Sequence, residues 1–196
     1  MPLKIQAAQE EKIARAVLGQ IFQDDENIND YIEIAKAIVA GKTFCQGLGL
    51  KEKDLDVMLA IAANQYNAAR YQDAARLYSL AALLNHFDTR AMQGAGMALH
   101  KLGLFNAAQQ CFAAFLLQEP ENLEVNFMLA ESMAMSGRRA EALDLLSQIA
   151  KRGKAMVDSA SNRSISKRAS ALIALLSKQS ESEITSESLI NKEAYP

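Results

Sequence analysis

The sequence predicts an all-α protein: three helical hairpins in tandem, forming a short superhelical solenoid, with helices before them and a capping helix after. Two observations carry this. Ala, Leu, Ile and Gln are abundant while alternating Val, Thr or aromatic runs are missing, and only three prolines and nine glycines punctuate the chain. The sequence also repeats when offset by 34 residues. With 196 residues, half of them apolar, the chain is long enough for one substantial core.

In chain order, residues 1–50 read as an N-terminal helical region. "EEKIARAVLGQIF" places Val17, Leu18, Ile21 and Phe22 on one helix face, and "INDYIEIAKAIVAGK" carries Ile28, Tyr31, Ile32, Ala35, Ile38 and Val39 at helical spacing. "GKTFCQGLGLKEKD" is a loop broken by Gly41, Gly47 and Gly49. The repeats occupy residues 51–155, each a pair of helices of about 14 residues joined by a short turn. "NRSISKRASALIALLSKQ", within 156–179, turns Ile165, Leu172, Ile173 and Leu176 to one side, as suits a cap on a solenoid end. The Ser/Glu-rich residues 180–196 lack sustained periodicity and read as a disordered tail.

The register of the repeat explains why "LGLFNAAQQCFAAFLLQEPEN" has so little bulk in its middle. Ala74, Ala108 and Ala142 share one column, as do Ala62, Gly96 and Ala130; Tyr78, Phe112 and Leu146; Ala69, Gly103 and Gly137; and Tyr71, Phe105 and Arg139. The small column at 62, 96 and 130 lies on the first helix of each unit, and that at 74, 108 and 142 on the second. Helices cross closely only where such residues leave room, and a large residue there costs about 1–3 kcal/mol in overpacking.

Several function classes recede on composition. The formal net charge is −2, with both signs mixed along the chain, so nucleic acid has no electrostatic footprint here. The opening "MPLKIQAAQEEKIARAVLGQ" carries acidic residues inside an amphipathic helix, unlike a secretory signal or lipoprotein start, and no stretch has the length of a transmembrane helix. Cys45 and Cys111 stand in no metal or redox spacing, so a reduced cytoplasmic setting is expected. No Gly-rich phosphate loop, nucleophile elbow or zinc motif appears. Cys111 with His100 is the one nucleophile–base combination on offer, but the unit positions set Cys111 on a second helix, buried or convex, and His100 on the concave side. The expectation is a non-enzyme with no cofactor and no metal.

The period and columns resemble the tetratricopeptide repeat, in degenerate form: Met58, Met92 and Asn126 replace its first tryptophan, and its terminal proline survives only as Pro120, with His86 and Lys154 at the equivalent places. The resemblance implies a concave surface lined by first helices: Leu59, Ala63, Tyr66 and Asn67 in the first unit; Arg90, Gln93, Met97, His100 and Lys101 in the second; Phe127 and Glu131 in the third. This mixed apolar, aromatic and polar lining suits an extended peptide. Two alternatives stay open: Leu59, Tyr66 and Phe127 could instead fill the interior or meet the N-terminal segment, and Arg90 could serve a local cap and ion pair in "DTR". Co-chaperones of this repeat class that clamp an acidic C-terminus use Lys and Asn at first-helix positions; Leu59 and Ala63 stand there instead.

Over residues 49–151 the likeness narrows. Asn64, Gln65, Tyr66, Tyr71, Asp73, Ala74, Phe87, Asp88, Arg90, Gly94 and Gly96 match a pattern that resembles the class II chaperones of bacterial type III secretion systems, the low-calcium-response H or SycD-like family. The resemblance implies a cytoplasmic protein whose concave groove holds an extended segment of hydrophobic translocator proteins, with aromatic groove positions at Tyr66 and Tyr71. Leu59 and Ala63 depart from the family's aromatic pattern, and the tail after residue 154 is longer than the family's. It also implies a homodimer through the N-terminal helices, here the face of Val17, Leu18, Ile21 and Phe22, which could alternatively pack back on its own repeats. Neither nucleic acid nor direct membrane insertion is implied. The alternative function is a tetratricopeptide adaptor or scaffold joining parts of a larger assembly.

Overall fold

The computed structural model describes residues 36–37, 40–155 and 160–193. Val17, Leu18, Ile21 and Phe22, the expected dimerisation face, lie outside the described residues. The described chain is helical, with no strand: α1 (Phe44–Gly47), α2 (Glu52–Asn67), α3 (Tyr71–Leu84), α4 (Thr89–Lys101), α5 (Phe105–Gln118), α6 (Leu123–Met135), α7 (Arg139–Ala155) and α8 (Ala160–Glu193). The all-α expectation holds. The capping helix continues to Glu193, into residues 180–193 where the Ser/Glu-rich composition predicts a disordered tail; no Pro or Gly interrupts 160–193.

The turn inside each hairpin is built the same way. Ala69, Gly103 and Gly137 adopt positive φ, of 58°, 75° and 87°. At each turn the backbone closes two bonds. Ala69 N–H donates to Tyr66 O and Arg70 N–H to Gln65 O; Gly103 and Leu104 donate to His100 and Leu99; Gly137 and Arg138 donate to Ala134 and Met133. This is the Schellman closure, which satisfies carbonyls otherwise left open at a helix C-terminus. The column at 69, 103 and 137 is therefore a turn signal, and Ala69 is its one strained member.

The connections between hairpins use side-chain caps instead. Asp88 precedes α4 and accepts from Arg90 N–H at 3.0 Å, and Asn122 precedes α6 and accepts from Val125 N–H at 3.1 Å. Before the repeats, Thr43 and Gln46 form a capping box at α1.

The chain divides into two compact units, residues 1–95 and 96–196. The first packs Cys45, Leu55, Leu59, Ala81, Leu84 and Ala91 into one core, with Phe44, Met58, Tyr78 and Ala82 against it. The second packs Leu123, Phe127, Ala130, Leu146, Ile149, Ile165 and Ala169, flanked by Leu145, Leu172, Ile173 and Leu176 of α7 and α8. Burying each large apolar side chain contributes about 1.5–3 kcal/mol.

The small columns sit at closed contacts, as their spacing requires. Ala62, Ala74, Ala108, Ala130 and Ala142 are fully buried. Gly94 lies under the Tyr78 ring, and Gly153 of α7 is pressed against Ser166 of α8 and the carbonyl of Asn162. Ser166 fixes that crossing by donating to Ala150 O at 2.9 Å.

Candidate functional site

The expected peptide-binding residues fall in both units. In the first, Tyr66 near the end of α2 and Tyr71 at the start of α3 meet edge to face, with ring centroids 5.3 Å apart. The Schellman turn at Ala69 brings these rings together across only five residues. Both rings are half-buried, and burial, followed by the neighbouring Tyr71 and Tyr78, pushes the Tyr66 phenol up. Tyr66 therefore stays a neutral donor and acceptor at physiological pH, on an aromatic shelf with one wet edge. Ala63 is half-buried beside it and Asn67 is exposed.

Arg90 is committed elsewhere in the same unit. Its guanidinium meets Asp88 at 2.7 Å and Asp56 of α2 at 2.8 Å. Asp56 precedes it by one repeat, so two equivalent positions on successive first helices are joined by an ion pair. The Arg90 hydrogen bond holds the Asp88 carboxyl below the usual carboxylate range. The local cap and ion pair is thus the geometry that Arg90 adopts. It forms one wall of an open cavity of about 530 Å³, with Asp56, Asn85, Phe87 and Asp88. Gln93 is half-buried.

Leu59 and Phe127 are interior residues, at 8% and 4% exposure. Leu59 belongs to the first core. Phe127 belongs to the second, and the Arg168 guanidinium covers its ring at 4.3 Å from the centroid while pairing with Glu124 at 2.9 Å. The physical reason is where α8 starts: Ile165, Arg168 and Ala169 in its first three turns pack against Phe127 and close off its ring.

In the second unit the polar residues converge. His100 Nδ1 lies 2.8 Å from Ser132 Oγ, and Ser132 is fully buried. Glu131 approaches His100 Nε2 at 4.0 Å, and Phe105 meets the imidazole edge to face at 5.2 Å. Burial lowers the His100 pKa; Glu131 raises it and Lys101 lowers it. Met97 is half-buried and adaptable on the same helix.

Residues without a site role in the sequence reading hold this unit together. Gln109, buried in α5, donates to Ser132 O at 3.1 Å and to Ser136 Oγ at 2.8 Å, and accepts from Arg138 at 2.8 Å. Their signal was a polar residue in a column otherwise held by Ala75 and Leu143. Cys111 is half-buried and burial pushes its thiol up, the wrong direction for a nucleophile. Among the described residues no cluster of three His, Cys, Asp or Glu could hold a metal, and no helix is long and apolar enough to cross a membrane.

No known family profile matches the sequence. The low calcium response locus protein H of Yersinia pestis is 22% identical over 121 residues, covering 61% of this chain and 72% of that protein. The crystal structure of PcrH, a Pseudomonas aeruginosa protein, in complex with the chaperone-binding region of PopB is 26% identical. It covers 63% of this chain and 97% of that one, with a TM-score of 0.57. An alternative dimer of the Yersinia enterocolitica type III secretion translocator chaperone SycD is 22% identical, covers 66% and 96% of the two chains, and has a TM-score of 0.58.

Proposed function

We propose that this protein is a type III secretion chaperone that binds hydrophobic translocator proteins in the bacterial cytoplasm and keeps them soluble until secretion. The observation that carries the reading is the likeness, over 63% of the chain, to PcrH bound to the chaperone-binding region of PopB. The Tyr66–Tyr71 pair, half-buried on the helices that carry the repeat pattern, gives the reading a physical anchor.

The task needs no bond-making. A translocator's apolar segments are a liability in water, and a chaperone must hold one segment extended and block its association. Aromatic rings with one polar edge, as at Tyr66 and Tyr71, grip apolar anchors and still accept main-chain hydrogen bonds. Ordering the client offsets part of the contact energy, which leaves a complex that can release. Ala63, Asn67, Gln93, Met97, His100 and Glu131 supply the remaining first-helix contacts within their own units. Self-association belongs to the same reading, in line with the existence of a SycD dimer, and Val17, Leu18, Ile21 and Phe22 are the face we assign to it from the sequence.

The test is co-expression of the tagged protein with the hydrophobic proteins encoded beside its gene, followed by mass spectrometry of what stays bound. Recovery of a membrane-inserting protein that is soluble only in the pair supports the chaperone. Recovery solely of proteins that are soluble and stable alone overturns it in favour of an adaptor.

A further inference from the structure

We propose that His100 and Glu131 form a subsite for a cationic side chain, lysine or arginine, of the bound client; the inference rests on the chaperone reading and specifies one position of its ligand.

Ser132 Oγ carries one proton and donates it to Met128 O at 2.9 Å. With that proton on Met128 O, the 2.8 Å contact with His100 Nδ1 is a donation from Nδ1–H to Ser132 Oγ. This network assigns the neutral imidazole the Nδ1–H tautomer, which leaves a lone pair on Nε2. Burial, the largest influence on this ring, favours that neutral form.

The lone pair faces another acceptor. Glu131 Oε2 stands 4.0 Å from Nε2, beyond hydrogen-bond distance, and both side chains remain partly open to solvent, at 21% and 43%. Among the described residues no donor lies between them. The other groups about the imidazole are Lys101 on its own helix, Ser132 of α6, which is already bonded, and the Phe105 ring of α5.

A water can donate to both acceptors, but a positive donor with more than one N–H also meets the Glu131 charge. A main-chain amide has a single N–H and no charge. A guanidinium or ammonium can donate to both atoms at once, and charge-assisted bonds are the stronger kind. The competing occupant is a proton: protonated at Nε2, His100 pairs with Glu131 directly. Cation and proton therefore exclude each other, and binding the cation must lower the His100 pKa.

The experiment uses the full chain labelled with 15N-histidine. Long-range 1H–15N spectra at pH 7.5 should show the Nδ1–H tautomer. N-acetylarginine amide should shift Nε2, whereas N-acetylnorleucine amide should not, and Glu131→Gln should abolish the response. An Nε2–H tautomer, or an equal response to both amides, overturns the subsite. In parallel, peptides tiling the neighbouring hydrophobic proteins are tested for binding. Norleucine in place of one basic residue of the bound peptide should weaken binding about 10-fold to the wild type and leave binding to Glu131→Gln unchanged. If no tile binds while arginine amide still shifts His100, the chaperone reading falls and the subsite stands. If a tile binds irrespective of its basic residues and arginine amide is silent, the subsite falls and the chaperone stands.

Discussion

The ring of Phe112 occupies the space that a side chain on Gly96 would need: an added Cβ would sit 2.5 Å from Cε1 of that ring. Phe112 is 1% exposed and has nowhere to go. Gly96→Ala gains about 1 kcal/mol of helix propensity and incurs about 1–3 kcal/mol of overpacking. Because the contact is with a fully buried ring, overpacking wins. Urea denaturation should show a net loss of up to about 2 kcal/mol. An unchanged midpoint would mean that Phe112 yields.

Ala69 offers the opposite change. It holds φ 58° at a turn position where the other two hairpins use glycine. A left-handed conformation costs a residue with a Cβ about 1–2 kcal/mol, against a smaller entropic penalty for glycine. Ala69→Gly should therefore raise stability by about 0.5–1 kcal/mol in the same assay. A loss of stability would show that the turn is not held in this geometry.

These two positions show how much of the molecule was legible in the sequence. A 34-residue register places Gly96 and Ala69 in their columns, and simple sterics then gives each its job. The destination of a side chain such as Phe127 was not legible, because it depends on α8, a partner 38 residues away at Ile165 that lies outside the repeat. His100 was read as a concave residue, but its bond to Ser132 was not foreseeable. It joins the end of α4 to the last turn of α6, and nothing in the local pattern marks Ser132 as buried. Arg90 kept two open meanings until Asp56 appeared beside it.

Asp88 separates a cap from an ion pair. Its carboxylate both caps α4 through Arg90 N–H and receives the guanidinium. The Arg90 side chain is 63% exposed, so Arg90→Ala should cost less than about 1 kcal/mol. Asp88→Ala also deletes the cap and should cost about 1 kcal/mol more, while Asp88→Asn keeps an acceptor and falls between them. The folded pKa lies below the ordinary 3.8. Its contribution is therefore full above that value and disappears as pH falls through the lowered folded pKa. Denaturation midpoints of the three variants at pH 7 and pH 3 check both the order and the sign.

His100 has the opposite charge and gives a window nearer neutrality. Its folded pKa is lowered from 6.5, chiefly by burial. The unfolded chain then binds more protons between the two values, so stability is full above about 6.5 and declines as pH falls toward the folded pKa. His100→Gln retains an N–H for Ser132 and cannot titrate. The wild type should therefore lose ground against it between pH 7.5 and 5.5. Glu131→Gln removes an influence that raises the pKa, and an NMR titration should find the His100 midpoint lower in that variant. A midpoint that rises instead would show that Glu131 does not act on this ring.

The client surface is best probed at residues whose loss leaves the fold intact. Phe127→Ala fails that condition: the ring lies in the core beneath Arg168, and its removal should cost about 3–5 kcal/mol. Lost binding in that variant would report unfolding. Tyr66 and Tyr71 are half-buried, outside the two cores, and meet in an edge-to-face contact worth about 0.5–1.5 kcal/mol. The double change Tyr66→Ala, Tyr71→Ala should leave the helical circular dichroism signal close to wild type and weaken client binding at least about 10-fold, as expected when aromatic anchors are removed. Tyr66→Phe keeps the ring and deletes the hydroxyl. If it binds like the wild type, the shelf acts through apolar area; if it binds like the double variant, the phenol's hydrogen bond is the anchor. Wild-type affinity in a folded double variant would place the client elsewhere on the molecule.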